Sequence, residues 1–330
     1  MRCLCCGKEI KEKASEVEKN TQWHSRCVKA FFGTKSLPVL DLTDQELIHL
    51  AEKMVHRGIT VAGVQKKISL HLSREEDSRL TLVDYPSGYI LKPQTKEFAN
   101  LPEYEDLVMR MAQSAGIRTV PHALMETGGG FAYITARIDR ETDKDGIQMF
   151  AMEDFCQLSG RLTEDKYKGS YERCTDILKK YSAHVGLDLS EFFLRILFSF
   201  VSGNSDMHLK NFSLREINPG GRDFVLSDAY DLLPVNIVLP ADKDEMALTL
   251  NGKKRNLRRK DFLVFAEHCD LTHKTAEKMI SRLLSRELQF RKQVRESFLP
   301  ESKKEEMENF VVSRMQRLSG SGPGDGSRVY

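Results

Sequence analysis

Long apolar runs are absent from this 330-residue chain. The longest, Phe192 to Val201, covers about ten residues and carries Arg195, whereas a membrane span needs about 20. The opening stretch MRCLCCGKEI lacks the apolar core of a secretory signal. These absences lead us to expect a cytoplasmic protein with no membrane partner. One-sided charge is lacking too. The net charge of +2 provides no global field toward nucleic acid or an anionic bilayer. No internal repeat is visible, which sets aside solenoids and propellers. What remains is an ordinary globular composition, 40% hydrophobic and 30% charged. The length suits two domains or one two-lobed domain.

Cysteine is scarce over most of the chain. Cys156, Cys174 and Cys269 are scattered, while Cys3, Cys5, Cys6 and Cys27 fall within the first 27 residues. In a reducing compartment such a cluster reads as a metal site rather than a disulfide framework. Cys3-x-x-Cys6 forms a thiolate knuckle, and Trp23-His24-Ser25-Arg26-Cys27 adds His24 and Cys27. Three thiolates and one imidazole complete a tetrahedral, closed zinc set, structural rather than catalytic. Cys5 competes for one position, and reduced, unliganded cysteines beside a surface helix are the alternative.

Four regions follow from the pattern: a Cys/His zinc-knuckle-like unit over 1–33, a β-rich region over 38–140, a helical region over 141–317, and a disordered Gly/Ser-rich tail over 318–330. In the second, a helix is expected at about Asp44 to Val55, strands near Thr81 to Asp84 and Tyr89 to Lys92, and a helix from Asn100 to about Ala115. Two more strands, Thr119 to Glu126 and Phe131 to Ile138, are joined by a hairpin turn at Thr127-Gly128-Gly129-Gly130. In the third, helices are expected near 152–157, 170–181, 189–201, 259–269, 273–296 and 301–317, with short strands at 223–226 and 247–250. A small mixed-β lobe before a larger helical one is an α+β arrangement that invites a cleft.

The chemistry-bearing residues lie along this frame. Gly203-Asn204-Ser205-Asp206-Met207-His208-Leu209-Lys210-Asn211-Phe212 is a polar loop directly after the apolar run. Asp206 suits a base for an attacking hydroxyl, Lys210 a phosphate-steadying charge and Asn211 a metal ligand, as in phosphoryl transfer. A polar loop capping a buried helix is the alternative. Asp231 stands 20 residues after Asn211 and suits a second Mg²⁺ ligand, with Asp228 a nearby decoy. Lys92 closes the apolar strand Tyr89-Ile90-Leu91-Lys92, where a phosphate-holding lysine is expected. Glu105, or else Glu103, would orient it. Upstream, Ala62, Gly63, Val64, Gln65, Lys66 and Lys67 form a small-residue loop with neither GxGxxG nor GxxxxGK[ST]. Loop, strand Lys, helix Glu, Asp-x4-Asn and Asp run in kinase order. That order points to an ATP-dependent phosphotransferase using Mg²⁺.

These residues also carry a resemblance. GVQKK at 63–67, YILKP at 89–93, ITARIDR at 134–140, MEDFCQLSG at 152–160, GNSDMHLKNFSL at 203–214 and AYDLLP at 229–234 resemble the HipA family of bacterial serine/threonine kinases, the toxins of type II toxin–antitoxin systems. The resemblance implies a two-lobed protein-kinase-like fold, small mixed-β N-lobe and larger helical C-lobe. It makes Asp206 the base, Asn211 and Asp231 the Mg²⁺ ligands, Lys92 an ATP contact and 62–67 the phosphate cradle. Ala136, Arg137 and Ile138 become a hinge facing adenine, His208 and Lys210 lie beside the phosphates, and Tyr230 sits next to the metal. The implied acceptor is a protein hydroxyl, on a translation factor such as an aminoacyl-tRNA synthetase. The implied partner is a DNA-binding antitoxin, with DNA contacted only through it. Longer members carry an extra N-terminal subdomain, so this chain resembles short, split-type members whose subdomain is a separate small protein. Thr60 falls near the family's autophosphorylated serine, and Lys66 stands where the family often has Glu. A small-molecule or lipid kinase on the same scaffold, and a non-catalytic kinase-like regulatory module, are the other readings. The basic run at 253–260 suits either nucleic acid or a solvated loop.

Overall fold

The computed structural model describes residues 1–40, 46, 67–73, 78–81, 88–142 and 147–320. The expected helix at Asp44 to Val55, apart from Glu46, lies outside the described residues, as do Thr60, Ala62, Gly63, Val64, Gln65, Lys66 and the last ten positions. The chain divides into two compact units, Met1–Asp106 with Val120–Met149, and Leu107–Thr119 with Phe150–Tyr330.

The first unit opens with α1 (Glu16–Thr21) and α2 (Ser25–Phe32). Ser15 caps α1 by accepting from the Glu18 amide, and left-handed Gln22 ends it. Gly33, at φ 72°, ends α2 with its amide on the Lys29 carbonyl. Then come β1 (Val39–Leu40), β2 (Ile68–Ser73), β3 (Arg79–Thr81) and β4 (Tyr89–Pro93). Helix α3 (Leu101–Ala115) begins in this unit and continues into the second. β5 (His122–Thr127) and β6 (Gly130–Ala136) follow. Their hairpin closes where the Thr127 hydroxyl donates to the Gly130 carbonyl at 2.8 Å. The six strands order as β1-β3-β2-β4-β6-β5, antiparallel except for the β1/β3 pair. In β2 the alternation of Ile68, Leu70 and Leu72 with Ser69, His71 and Ser73 sets one face inward. A hairpin of β7 (Arg140–Thr142) and β8 (Ile147–Met149), with no counterpart in the sequence reading, completes the unit.

The second unit departs locally from the expected helices. Met152 to Asp154 form β9 (Met152–Asp154), which pairs with β10 (Ser213–Glu216). The helix starts later, as α4 (Phe155–Leu158), because Asp154 and Gln157 make a reciprocal capping box. Next are α5 (Tyr171–Tyr181), capped by Ser170, and α6 (Val185–Ser202). β11 (Phe224–Leu226) closes the sheet of order β11-β10-β9. The expected strand at 247–250 is reduced to isolated bridges, Ser170 with Thr249 and Leu250 with Lys253. The remaining helices are α7 (Val235–Val238), α8 (Arg259–His268), α9 (His273–Leu284), α10 (Glu287–Arg295) and α11 (Glu301–Ser319). The single helix expected over 273–296 thus breaks at Ser285-Arg286, so that Ile280 and Leu283 on α9 and Phe290 and Val294 on α10 are all buried. Around α6 the core is aromatic: Phe192 meets Phe212 at 4.9 Å between ring centres, and Phe200 meets Phe262 at 5.2 Å. Among the described residues no helix is long and apolar enough to cross a membrane.

Candidate functional site

The polar loop begins where α6 must stop. Gly203 adopts φ 76°, and a Cβ there would lie 2.6 Å from the Phe310 ring on α11. Only glycine fits both the left-handed turn and that approach. Asn204, fully buried, then organises the loop. Its side-chain oxygen accepts from the Asp206 amide at 3.2 Å, and its side-chain nitrogen reaches the Asp231 carbonyl at 3.5 Å. One carboxamide therefore ties the Asp206 loop to the Asp231 segment.

Asp206 is half-buried, and its Oδ1 accepts from the Tyr167 hydroxyl at 2.6 Å. The Asp206 carbonyl accepts from the Asn211 side-chain nitrogen at 2.8 Å. That bond uses the donor end of the Asn211 amide, so its oxygen is the atom with the chemistry for a hard cation. The 3-10 turn Leu209–Asn211 carries Asn211 and Lys210. The Lys210 ammonium sits 2.6 Å from Asp154 Oδ2. His208 is buried, with its ring edge-on to Tyr167 at 5.0 Å.

Asp231 is left-handed at φ 56°, a conformation that costs a non-glycine residue about 1–3 kcal/mol. Its neighbour Tyr230 shares a 2.5 Å hydrogen bond with the Ser213 hydroxyl and donates to the Lys210 carbonyl at 3.2 Å. Burial pushes the Tyr230 phenol well above its ordinary range, so it stays neutral. Arg195, buried within α6, donates to the Ser227 carbonyl at 2.7 Å and so fixes the approach to this segment. Asp228 pairs instead with Arg118 at 4.0 Å.

In the first unit Lys92 is buried, and its ammonium lies 2.5 Å from Glu105 Oε1 and 5.3 Å from the centre of the Tyr133 ring. A buried ammonium needs such a partner. Glu103 instead accepts from Asn100 at 3.0 Å, and burial raises its carboxyl above the usual range. At the end of β6 the Ala136 amide donates to the Pro121 carbonyl and the Arg137 amide to the Gly88 carbonyl. The Arg137 side chain forks onto Asp139 at 2.6 and 2.9 Å. Of the expected hinge, two amides are therefore used by the residues just before β4 and β5. Lys67 is the one described member of the expected phosphate cradle, exposed at the start of β2.

Tyr167, Asn204, Asp154 and Tyr133 were missed by sequence reasoning. Asn204 lay inside the quoted loop and was recoverable from it. Tyr167 stands 39 residues from Asp206, with no local signal to link them. Half of the basic run is paired internally: Lys253 with Asp261, Arg255 with Asp244 and Arg259 with Glu277.

Residues 59–289 match the family described as the HipA-like C-terminal domain. The chain belongs to that family. This HipA-like chain is 30% identical over 208 residues to the Sinorhizobium fredii protein named "Putative kinase Y4mE", covering 62% of the chain and 48% of that relative. It is 24% identical over 289 residues to a Haemophilus influenzae protein named "Putative kinase", covering 80% and 82%. The chain thus spans about half the length of the Sinorhizobium relative. In fold it is similar to HipA of Shewanella oneidensis, solved with HipB and operator DNA, at TM-score 0.70 and 20% identity, over 84% of this chain and 71% of that one. It is also similar to the Helicobacter pylori proinflammatory kinase CtkA, at TM-score 0.52 and 14% identity, over 77% and 94%.

The Cys/His unit of this HipA-like chain precedes the matched residues. The ligand atoms of Cys3, Cys6, His24 and Cys27 all lie within 4.8 Å of one another. A tetrahedral site with Zn–S bonds of about 2.3 Å needs sulfurs about 3.8 Å apart, so the set closes on zinc with shifts of no more than about 1 Å. Cys6 Sγ lies 3.4 Å and Cys27 Sγ 3.9 Å from His24 Nδ1. The hydrogen-bonded Cys3 thiol lowers Cys6 to about 4, while Cys3 itself is driven up. Cys5 stands outside the four-residue set.

Proposed function

We propose that this chain is an ATP-dependent protein serine/threonine kinase that serves as the toxin of a toxin–antitoxin pair. The observation that carries this reading is the tie between Asp206, Asn211 and Asp231, made by Asn204 and by the Tyr230 hydroxyl. Asp206 takes the proton of the acceptor hydroxyl as its oxygen bonds the γ-phosphorus and the bond to the β,γ-bridging oxygen breaks, releasing ADP, and the Tyr167 hydroxyl orients the Asp206 carboxylate. The Asn211 amide oxygen and the Asp231 carboxylate would hold Mg²⁺, which would offset phosphate charge. Lys92, aligned by Glu105, contacts the nucleotide phosphates, and Lys210 supplies a further positive charge. The hinge at 136–138 meets adenine through the Ile138 amide and the backbone carbonyls, with 62–67 cradling phosphates. The N-lobe is 38–140 and the C-lobe 141–317. The Cys/His set takes a structural Zn²⁺.

The family and the Shewanella HipA–HipB–DNA complex support a DNA-binding antitoxin as the partner here, with DNA met through it. A separate small subdomain protein, a translation factor as acceptor and autophosphorylation at Thr60 extend the same reading. The test is incubation of purified chain with γ-labelled ATP, Mg²⁺ and cell lysate. Label on discrete proteins, and on the peptide holding Thr60, is expected, and Asp206→Ala should remove it. Label on lipid or small molecules alone would replace the protein acceptor, and no transfer at all would sink the kinase reading.

A further inference from the structure

The Cys/His unit does more than fold itself. Its backbone meets one edge of the six-stranded sheet: the Leu124 amide on β5, a terminal strand, donates to the Leu4 carbonyl at 3.0 Å. Leu4 sits between Cys3 and the ligand Cys6, and the Cys3–Cys6 turn is closed by the Gly7 amide on the Cys3 carbonyl at 2.8 Å. Its second contact is aromatic. Phe31 and Phe32, at the end of α2, lie 5.7 and 5.3 Å from the Tyr89 ring, and the Tyr89 hydroxyl donates to the Phe31 carbonyl at 3.1 Å. Tyr89 is the first residue of β4, the strand that carries Lys92.

We infer that Cys3, Cys6, His24 and Cys27 bind one Zn²⁺ whose occupancy clamps β4 and β5, and with them the Lys92–Glu105 pair. Three sulfurs and an imidazole, with no carboxylate in the set, suit a borderline-soft tetrahedral ion held for structure. Besides the ligands, the unit's core is a small cluster of Leu4, Ile10, Trp23, Val28 and Phe32. α1 buries no residue, and of the three that α2 buries, Cys27 is itself a ligand. A core this small is marginal on its own. His24 and Cys27 flank the first turn of α2, so the ion fixes the helix whose far end grips Tyr89. When zinc leaves, the thiols and imidazole take up protons, α2 loses its anchor, and β5 loses its cover at Leu124. The clamp itself is independent of catalysis. Its effect on nucleotide rests on the kinase reading above.

The experiment uses the full chain purified with zinc. Elemental analysis should give one zinc per chain for the wild type and for Cys5→Ser, and none for Cys27→Ser. Hydrogen exchange is then followed before and after chelation of the wild type, which avoids reliance on a variant that fails to fold. Peptides covering 89–93 and 122–127 should exchange about tenfold faster without zinc and recover when ZnCl₂ is restored, while 185–202 stays slow. Absence of zinc, unchanged exchange in both strands, or equal acceleration at 185–202 would each overturn the clamp. A chain that passes this test yet transfers no phosphate keeps the clamp and loses the kinase reading.

Discussion

Two candidate ligand sets in this chain differ in what organises them. Cys3, Cys6, His24 and Cys27 converge with their own ligand atoms, soft and closed, in a unit whose other core is a small cluster around Trp23 and Phe32. Asn211 and Asp231 are hard oxygen donors set by the surrounding chain: the Asn211 side-chain amide donates to the Asp206 carbonyl, Asn204 reaches the Asp231 carbonyl, and Tyr230 and Arg195 hold the neighbouring Lys210 and Ser227 carbonyls. The first arrangement suits an ion that supplies folding energy, the second an ion that comes and goes with a substrate. Breaking the first should therefore cost structure, and breaking the second should cost turnover.

The largest expected effect lies at the oxygen set. Asp231→Asn should slow phosphoryl transfer about a thousandfold, the loss of several kcal/mol of charge stabilisation. The unfolding midpoint should stay level or rise slightly, because Asn tolerates the left-handed backbone at φ 56° better than most residues. Steady-state kinetics beside a thermal melt would read both. A large fall in the melt would make Asp231 a structural residue and erase the contrast.

Next is Gly203→Ala, which meets the Phe310 ring and forces a left-handed alanine. About 3 kcal/mol of stability should be lost. Urea unfolding measures it, and a loss below 1 kcal/mol would mean the loop is not pinned at its first residue.

The smallest effect is a pH response remote from both sets. Burial opposes ionisation of Glu245, but Arg317 and Arg314, at 2.6 and 2.9 Å, outweigh it and hold the carboxyl below its usual range. A depressed carboxyl stabilises the fold above its unfolded value, about 4.3, and that stability fades as pH falls through the folded value. Glu245→Gln should cost about 2 kcal/mol near neutrality. The gap between wild type and variant should close below pH 4 in denaturant titrations; a pH-independent gap would point to packing instead.

Much of this was legible because the signals were local. The apolar run at 192–201 lies within α6, and the Asp-x4-Asn loop sits at its end, since glycine must stop a helix that meets Phe310. Lys92 was legible as a strand end, although its burial against Glu105 was not. What escaped was non-local. The Tyr167–Asp206 contact spans 39 residues, and the Asn204–Asp231 bond spans 27. The strand at Met152–Asp154 escaped because apolar and acidic residues there fit a helix start equally well, and only pairing with β10 decides it. Ser285-Arg286 carries no proline or glycine to announce the break between α9 and α10.

The central claim is that Asp206 is the base for a hydroxyl attacking ATP. Single-turnover loss of the γ-phosphate from Mg²⁺·ATP, with acceptor present and nucleotide occupancy matched by direct binding, tests it most directly. The account predicts that Asp206→Asn binds nucleotide like the wild type and transfers on the order of a thousandfold more slowly. Equal transfer rates at equal occupancy would contradict it.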